Sequence, residues 1–329
     1  MTIIEKYADR FLARYSNYPQ GQYVNLLLVR QVESEAIFRT EGSGEPLSKE
    51  FVHAGLDGDE IIQRVVISKR KQTAVERRTG RELLRAHGLL FEKDGKSGTC
   101  ALNRNNPCER CMDCMIYGYA AGGGGAQKSR VVTDDAFSLH PATTITGSKQ
   151  FNALFDNSTM RDPETGKPSH SIGTDEYVKP ETVFLDIETL KDVTANEFRY
   201  ILGNILRSSR YGAITARIGK VKNLLAGVIF SNCEIFSNLE LTQAAYDHLR
   251  NGDDENGSTE PDFPLRTQKL VEAILEVSLE LGGRVASHIV RLTPEEVVAL
   301  VGEIITLYQD EAAVRRVLEE TTKMYGPQG

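Results

Sequence analysis

The sequence predicts an α+β fold in which a mixed core of strands and helices carries large insertions. Apolar runs between turn residues indicate strands at residues 23–30, 61–67 and 182–188. Capping signals followed by apolar residues at helical spacing indicate helices that begin near Thr73 and Thr194. The composition, 40% hydrophobic and 26% charged over 329 residues, is typical of a globular chain that can bury a sizeable core.

A basic helix follows the first two strands. Thr73 and Glu76 have the spacing of a capping box, and Gly88 has the position of a glycine that ends a helix. The helix places Arg77, Arg81 and Arg85 on one face. Three cations at residues 69–71 come just ahead of the predicted start, where backbone amides favour a phosphate group.

Positive charge is concentrated in two segments, although the chain has a net charge of −7. Residues 64–85 contain eight bases and two acids, and residues 198–233 contain six bases and no acid. The acids are concentrated in residues 251–320, which have a net charge of −9. The negative net charge of the chain therefore does not exclude a polyanionic partner. The alternative interpretation of the two basic segments is that they are solvated surfaces without a partner.

Four of the five cysteines lie within fifteen residues, in the pattern C-x7-C-x2-C-x2-C formed by Cys100, Cys108, Cys111 and Cys114. Zinc binds four thiolates in a tetrahedron, and C-x2-C turns bring pairs of thiolates to one ion. The cysteines therefore predict structural Zn²⁺ with no open coordination position for catalysis. An iron–sulfur cluster is the main alternative. Cys233 lies in an apolar segment and is predicted to be a core residue.

The second half of the predicted core follows an irregular stretch. Residues 141–181 are rich in turn-forming residues and too long for a plain connector, which indicates a functional arm. Thr194 and Glu197 then form a second capping box, and residues 213–218 and 224–236 predict a hairpin with its loop at residues 219–223. Helices follow from residue 241, one of them starting at Thr293.

This order of elements is compatible with a ferredoxin-like or RNA-recognition-type core. We assign residues 1–91, 126–140 and 181–240 to the core and residues 92–125 to a zinc-binding insertion. Residues 141–180 form a thumb or lid arm, and residues 241–329 form an acidic helical region.

Several function classes are excluded by missing motifs. No run of about 18 apolar residues predicts a membrane span, and the first residues do not resemble a secretory signal, so we expect a reducing cytoplasm. Gln127 replaces the glycine that a phosphate-binding NTPase loop requires before Lys128 and Ser129. No histidine pair or serine elbow with a hydrolase spacing is present.

Three groups of residues carry a resemblance to a known family. They are the basic helix at residues 69–73 and 77–84, the four cysteines followed by residues 128–131 and 134–137, and residues 198–200, 210–213 and 235–242. Together they resemble the backbone subunit of type I-D CRISPR Cascade, a member of the repeat-associated RAMP superfamily. The resemblance extends from about residue 20 to residue 245.

The resemblance implies a modified RNA-recognition-type core with a zinc-bearing insertion, a thumb and a helical domain. It implies that copies stack into a helical filament along one CRISPR RNA in antiviral defence, presenting the guide for pairing with target DNA or RNA. The implied partners are the CRISPR RNA, the target strand, further copies of the chain, and the large, small and 5′-end-capping subunits of Cascade. No membrane is involved.

A guide held without reading its sequence requires Lys and Arg contacts to phosphate, while its bases stay free to pair. The RNA-binding candidates are Lys69, Arg70, Lys71, Arg77, Arg78, Arg81, Lys128, Ser129, Arg130, Arg207, Arg210, Arg217, Lys220 and Lys222. In the arm, Phe151 and Phe155 are candidates for a wedge between bases, or for a small satellite core. We expect the two basic segments to form one continuous track.

Two alternative functions remain open from the residues. A metal-dependent nuclease of the same superfamily would cut target strands, and its candidate acids are the pairs Asp57/Asp59 and Asp134/Asp135. The other alternative is a zinc-containing adaptor that binds no nucleic acid. We expect no catalytic residue.

Overall fold

A computed structural model shows a central antiparallel sheet with helices against both faces. It describes residues 1–39, 47–93, 98–102, 106–122, 125–213, 219–250 and 260–325. The strands are β1 (Tyr23–Val32), β2 (Lys49–His53), β3 (Ile61–Ile67), β4 (Tyr119–Ala121), β5 (Gly125–Gln127), β6 (Val131–Thr133), β7 (Ala136–Ser138), β8 (Thr146–Asn152), β9 (Ile172–Val178), β10 (Val183–Lys191), β11 (Arg210–Tyr211), β12 (Gly219–Ser231) and β13 (Val290–Arg291). The helices are α1 (Ile3–Lys6), α2 (Lys69–Ala86), α3 (Met112–Tyr117), α4 (Ala142–Ile145), α5 (Ala195–Arg207), α6 (Asn238–Leu249), α7 (Thr267–Gly282), α8 (Pro294–Gln309) and α9 (Glu311–Lys323).

The sheet is built around β1. Its strand order is β11-β12-β1-β10-β7-β3-β2, with β6 paired to β10 and β13 paired to β12. β1 pairs antiparallel with both neighbours, so that Leu27 lies opposite Ile187 of β10 and Leu26 lies opposite Val228 of β12. β1 is almost entirely buried because both of its faces meet helices.

The two faces of the sheet pack against different helices. Leu26 and Leu28 belong to an apolar cluster with side chains of α2, α5, α8 and α9. Leu27 and Val29 belong to a second cluster with side chains of α6 and α7. The helices after residue 238 therefore cover one face and also extend the layer on the other, whereas the edge strand β2 stays mostly exposed.

The predicted start of the basic helix is wrong. α2 begins at Lys69 after the N-cap Ser68, so Lys69, Arg70 and Lys71 form its first turn. The Asp135 carboxylate accepts a hydrogen bond from the Lys69 amide at 2.8 Å. Glu76 points into the core instead of capping the helix. The end of α2 is confirmed, because Gly88 follows it with a φ of +70°.

The predicted hairpin is also misplaced. Residues 219–223, predicted as its loop, belong to the single long strand β12, which pairs with β11. Lys220 and Lys222 alternate with buried neighbours there, which is the period of a strand. Of the predicted first strand, residues 214–218 lie outside the described residues. The edge strand β2, whose side chains are mostly exposed, was not predicted.

The capping boxes at Thr194 and Thr293 are confirmed, since each side chain accepts a hydrogen bond from the glutamate amide three residues later. The predicted arm contains α4 and the antiparallel pair β8–β9, in which Thr146 lies opposite Val178 and Asn152 opposite Ile172. Leu154, Phe155 and Ile172 are exposed at the far end of this hairpin.

A buried ion network joins α2 to the sheet. Arg30 of β1 has no solvent exposure and forms ion pairs with Glu76 of α2 at 2.9 Å, Asp186 at 2.6 Å and Glu188 at 2.7 Å. Tyr211 of β11 donates its hydroxyl hydrogen to Glu76 at 3.0 Å. Three buried carboxylates surround one guanidinium, and burial together with the nearby Glu76 charge raises the pKa of Glu188 well above its usual value.

The raised pKa of Glu188 makes the stability of the fold depend on pH. The folded chain releases the Glu188 proton only at a higher pH than the unfolded chain, which releases it above about pH 4.5. The contribution of Glu188 is therefore complete below that pH and decreases as the pH rises towards the folded-state pKa. We predict that Glu188→Gln, which mimics the protonated carboxyl, removes this decrease of up to about 1.4 kcal/mol per pH unit. Urea unfolding at a series of pH values measures the effect.

Asp186→Asn is a comparison variant that removes another acidic partner of the same arginine, since Asp186 accepts hydrogen bonds from both Nε and Nη2 of Arg30. Removing this partner is expected to lower the free energy of unfolding by about 3–5 kcal/mol at neutral pH. Parallel pH profiles for the wild type and Glu188→Gln would contradict a raised pKa of Glu188 in the folded chain.

Candidate metal centre and basic cleft

The structure brings the four predicted cysteine ligands together. Their sulfur atoms all lie within 4.8 Å of one another, with Cys100 to Cys114 at 3.6 Å and Cys100 to Cys111 at 4.0 Å. A tetrahedral zinc site with Zn–S bonds of about 2.3 Å has S–S edges of about 3.8 Å, so the four thiols fit such an ion. All four cysteines are buried, and the set supplies four protein ligands.

Backbone hydrogen bonds hold the thiols in place. The Cys111 amide donates to Cys108 Sγ at 3.3 Å, and the Cys114 amide donates to Cys111 Sγ at 3.4 Å at the start of α3. Hydrogen bonds from the neighbouring thiols, that of Cys108 first, lower the pKa of the Cys100 thiol. When bound, a metal would cross-link residues 98–102 to residues 108–114. Iron–sulfur ligation fits the same thiols and stays an alternative.

Asp113 is a buried acid next to the cysteine cluster that the sequence did not single out. It lies between Cys111 and Cys114 and is fully buried. Arg77 Nε donates to Asp113 Oδ1 at 2.7 Å, and Arg81 Nη1 donates to Oδ2 at 2.5 Å. The i, i+4 spacing of the two arginines marked a shared face of α2, but nothing in the sequence identified their partner.

A cleft of about 1430 Å³ lies between α2, the cysteine insertion and residues 128–134. Its walls are rich in cations, with Glu82 and Asp134 as the acids among the described lining residues. The cationic lining residues are Lys69, Arg70, Lys71, Arg77, Arg78, Arg81, Arg85 and Lys128. The predicted Ser129 also lines the cleft. The first basic segment and the Lys128–Ser129 segment therefore share one concave surface.

Gly118 allows this arrangement, because it has a φ of +76° and a very close neighbour. A Cβ atom there would lie 2.4 Å from the Gln127 carbonyl oxygen and 2.7 Å from the Ser129 amide nitrogen. The end of α3 can therefore approach the segment that carries Lys128. Of the four consecutive glycines at residues 122–125, residues 123–124 lie outside the described residues.

Two predicted RNA-binding arginines are buried in ion pairs. Arg81 contacts Asp113. Burial lowers the pKa of Arg81, but the Asp113 charge and the hydrogen bonds to Cys100 and Asp113 together raise it above its usual value. Arg130 Nη1 donates to Glu197 at 3.0 Å, and its guanidinium stacks on Tyr15 at 4.9 Å. In the structure, both guanidinium groups are therefore paired with buried acids of the fold.

The second basic segment contacts α2 through α5 and β11, and its Gly212 lines the cleft, but its described cations do not. Arg207 stacks on Tyr308 at 5.2 Å, and Lys220 forms an ion pair with Glu33 at 3.0 Å. Arg210 of β11 lies opposite Lys220 of β12 in the register of the two strands, and Lys222 is exposed further along β12. Arg217 lies outside the described residues.

The four loop acids do not form a metal site in the described part of the chain, where the four cysteines are the only set of three or more close ligands. Asp57 and Asp59 are exposed, in a loop whose Leu56 amide donates to Asp247 at 2.6 Å. Asp135 is bonded to the start of α2, and Asp134 lines the cleft.

The fold and the site define an α+β protein with a cysteine cluster beside a basic cleft. The solved structure of Thermofilum pendens Csc2 is similar, with a TM-score of 0.62, 17% identity, and coverage of 98% of this chain and 96% of that chain. The sequence profile of the Csc2 CRISPR family matches residues 10–318. The chain belongs to the Csc2 CRISPR family.

Two further solved structures are similar over parts of the fold. One is described as "CRISPR RNA-guided surveillance complex, pre-nicking", with a TM-score of 0.48, 12% identity, and coverage of 86% of this chain and 100% of that chain. The other is "Type IV-B CRISPR Complex", with a TM-score of 0.43, 15% identity, and coverage of 62% and 90%. No curated protein matches the chain. In the part that the structure describes, no helix combines the length and apolar character needed to cross a membrane.

The cysteine cluster generates a stability prediction. Cys111→Ser is expected to reduce bound zinc from one ion per chain to near zero. It should also lower the free energy of unfolding by at least about 3 kcal/mol, because structural zinc contributes its binding energy to folding. Metal content by mass spectrometry and urea unfolding measure the two effects.

Cys233→Ser is the matched control, since this half-buried thiol lies outside the cluster. It should leave both quantities unchanged. Iron absorbance in the purified wild type would contradict the zinc assignment.

Proposed function

We propose that this chain binds CRISPR RNA without reading its sequence, as the repeating backbone subunit of a type I-D Cascade effector complex. The observation that carries the proposal is the concave surface on which cations of α2 and Lys128 converge in a chain of the Csc2 CRISPR family. The proposed partners are the guide RNA, the target strand paired to it, neighbouring copies and the other Cascade subunits, all in the cytoplasm. The proposed metal is structural zinc.

The charges in the cleft suit a phosphate backbone. Lys69, Arg78, Arg85 and Lys128 are exposed and make no side-chain ion pair or hydrogen bond with another described residue. When such cations contact phosphates, counterions are released from the nucleic acid, and this release gives affinity that does not depend on the base sequence. We propose that these four residues, together with Arg70 and Lys71, are the main contacts to the RNA phosphates. Arg207, Arg210, Lys220 and Lys222 would extend the track beyond the cleft.

We also propose that the core is ferredoxin-like. The chain order β1, α2, β7, β10, α5 and β12 matches the pattern β-α-β-β-α-β. The order of the four strands in the sheet, β12-β1-β10-β7, is fully antiparallel, and α2 and α5 contact each other on one face. β3 and β2 are then additions at one edge.

The β8–β9 hairpin is the proposed thumb. Its far end exposes Leu154, Phe155 and Ile172 next to the mostly polar residues 156–171, which puts apolar side chains at a largely polar tip. Such a tip suits insertion between the bases of a guide held by a neighbouring copy. The backbone of Phe151 is in β8, and its side chain lies outside the described part.

Salt dependence tests the proposal. Binding of an unstructured single-stranded RNA should weaken steeply with salt, with a slope of about −0.7 for each phosphate engaged. Arg78→Ala should weaken binding for every RNA sequence and make the slope shallower by about 0.7. Arg316→Ala is the control, because Arg316 is an exposed cation on α9, outside the cleft lining. Equal slopes for the two variants would contradict the assignment, and no binding at low salt would favour the adaptor alternative.

The nuclease alternative is supported by one observation, the presence of Asp134 in the cleft. Asp134→Ala and the double variant Asp57→Ala/Asp59→Ala are expected to leave target cleavage by a purified assembly unchanged. Loss of cleavage with preserved guide binding in either variant would favour a catalytic role over the non-catalytic one.

A further inference from the structure

The cysteine cluster and the basic helix are connected by a short chain of side-chain contacts. Arg81 Nη2 donates to the Cys100 carbonyl at 2.6 Å, and Nη1 lies 3.6 Å from Cys100 Sγ. The same guanidinium contacts Asp113, which also receives Arg77. Two successive turns of α2 are thus joined to Cys100, a proposed metal ligand, and to Asp113, which lies between two others.

The charges of this group are complementary. Four thiolates around a divalent ion leave a net charge of −2, and the buried Asp113 adds one more negative charge. Arg77 and Arg81 supply two positive charges from α2. Hydrogen bonds from outer residues to metal ligands orient those ligands and tune the affinity of the site.

We propose that Arg81 and Asp113 are positioning residues that make RNA binding at the cleft depend on zinc in the cysteine site. This inference rests on the proposed function. With the ion bound, the cross-linked loops fix Asp113, which holds Arg77 against the wall of the cleft. Without the ion, four thiols form no cross-link, so Asp113 loses its fixed position and the two arginines lose their buried partner.

This arrangement separates two classes of cation on one helix. Arg77 and Arg81 face the insertion and act through Asp113, whereas Arg78 and Arg85 are exposed and available to phosphate. The first class sets the geometry of the cleft, and the second supplies its attraction for RNA.

The first measurement is zinc affinity, by competition with a chromophoric chelator. Arg81→Lys keeps the charge but cannot contact Cys100 and Asp113 together, and it should weaken zinc binding about 10- to 100-fold. Asp113→Asn should have an effect in the same direction. Arg85→Lys, an exposed change on the same helix, should leave the zinc affinity unchanged.

The second measurement is binding of an unstructured single-stranded RNA over a range of buffered free zinc. Wild-type chain should lose RNA affinity on chelation and regain it when zinc is restored. Arg81→Lys should need about 10- to 100-fold more free zinc for half-maximal RNA binding, and at saturating zinc should approach wild-type affinity. Arg85→Ala should weaken RNA binding at every zinc concentration.

Equal zinc affinities for Arg81→Lys and Arg85→Lys would overturn the positioning role. Wild-type RNA binding that persists unchanged after complete removal of zinc would overturn the coupling alone. Failure of zinc-loaded wild type to bind RNA would overturn the proposed function, and the coupling with it. A weaker zinc affinity of Arg81→Lys than of Arg85→Lys would still support a link between α2 and the metal site in the last two cases.

Discussion

One arginine without access to solvent fixes the orientation of the basic helix. Arg30 lies at the centre of the sheet, and an unpaired charge there would cost several kcal/mol. Glu76 of α2 is one of its three carboxylate partners, so this point of the helix must face the sheet. At 3.6 residues per turn, Arg78 and Arg85 then lie on the opposite side of α2. The ion pair between the buried Arg30 and Glu76 thus directs Arg78 and Arg85 outwards.

Close packing reinforces this orientation. A Cβ atom at Gly80 would lie 2.3 Å from the Tyr200 hydroxyl and 2.4 Å from the side-chain nitrogen of Asn204, so a larger residue there would force these side chains of α5 to move. The cysteine insertion contacts the side of the helix that carries Arg77 and Arg81. α2 is therefore held from the sheet, from α5 and from the insertion, and the cleft opens between α2, the insertion and residues 128–134.

Features determined by neighbouring residues could be predicted from the sequence, and features determined by distant partners could not. The strand at residues 61–67, the caps at Thr194 and Thr293 and the meeting of four cysteines depend on local spacing. Glu76 has the same spacing from Thr73 that a cap requires, yet Arg30 of a distant strand takes its carboxylate. Counts of basic residues likewise could not show that Arg81 and Arg130 have buried acidic partners.

The layering of the fold constrains how a guide could be held. RNA-recognition-type domains present bases to aromatic side chains on an open sheet face. Here α6 and α7 pack on one face and α2, α5, α8 and α9 on the other, so that route is closed in the described part of the chain. What remains is a cleft rich in long flexible cations, which contact phosphates well and distinguish bases poorly. Under the proposed function, this division between a closed sheet and an open basic cleft suits a subunit that accepts any guide sequence and leaves the bases free to pair.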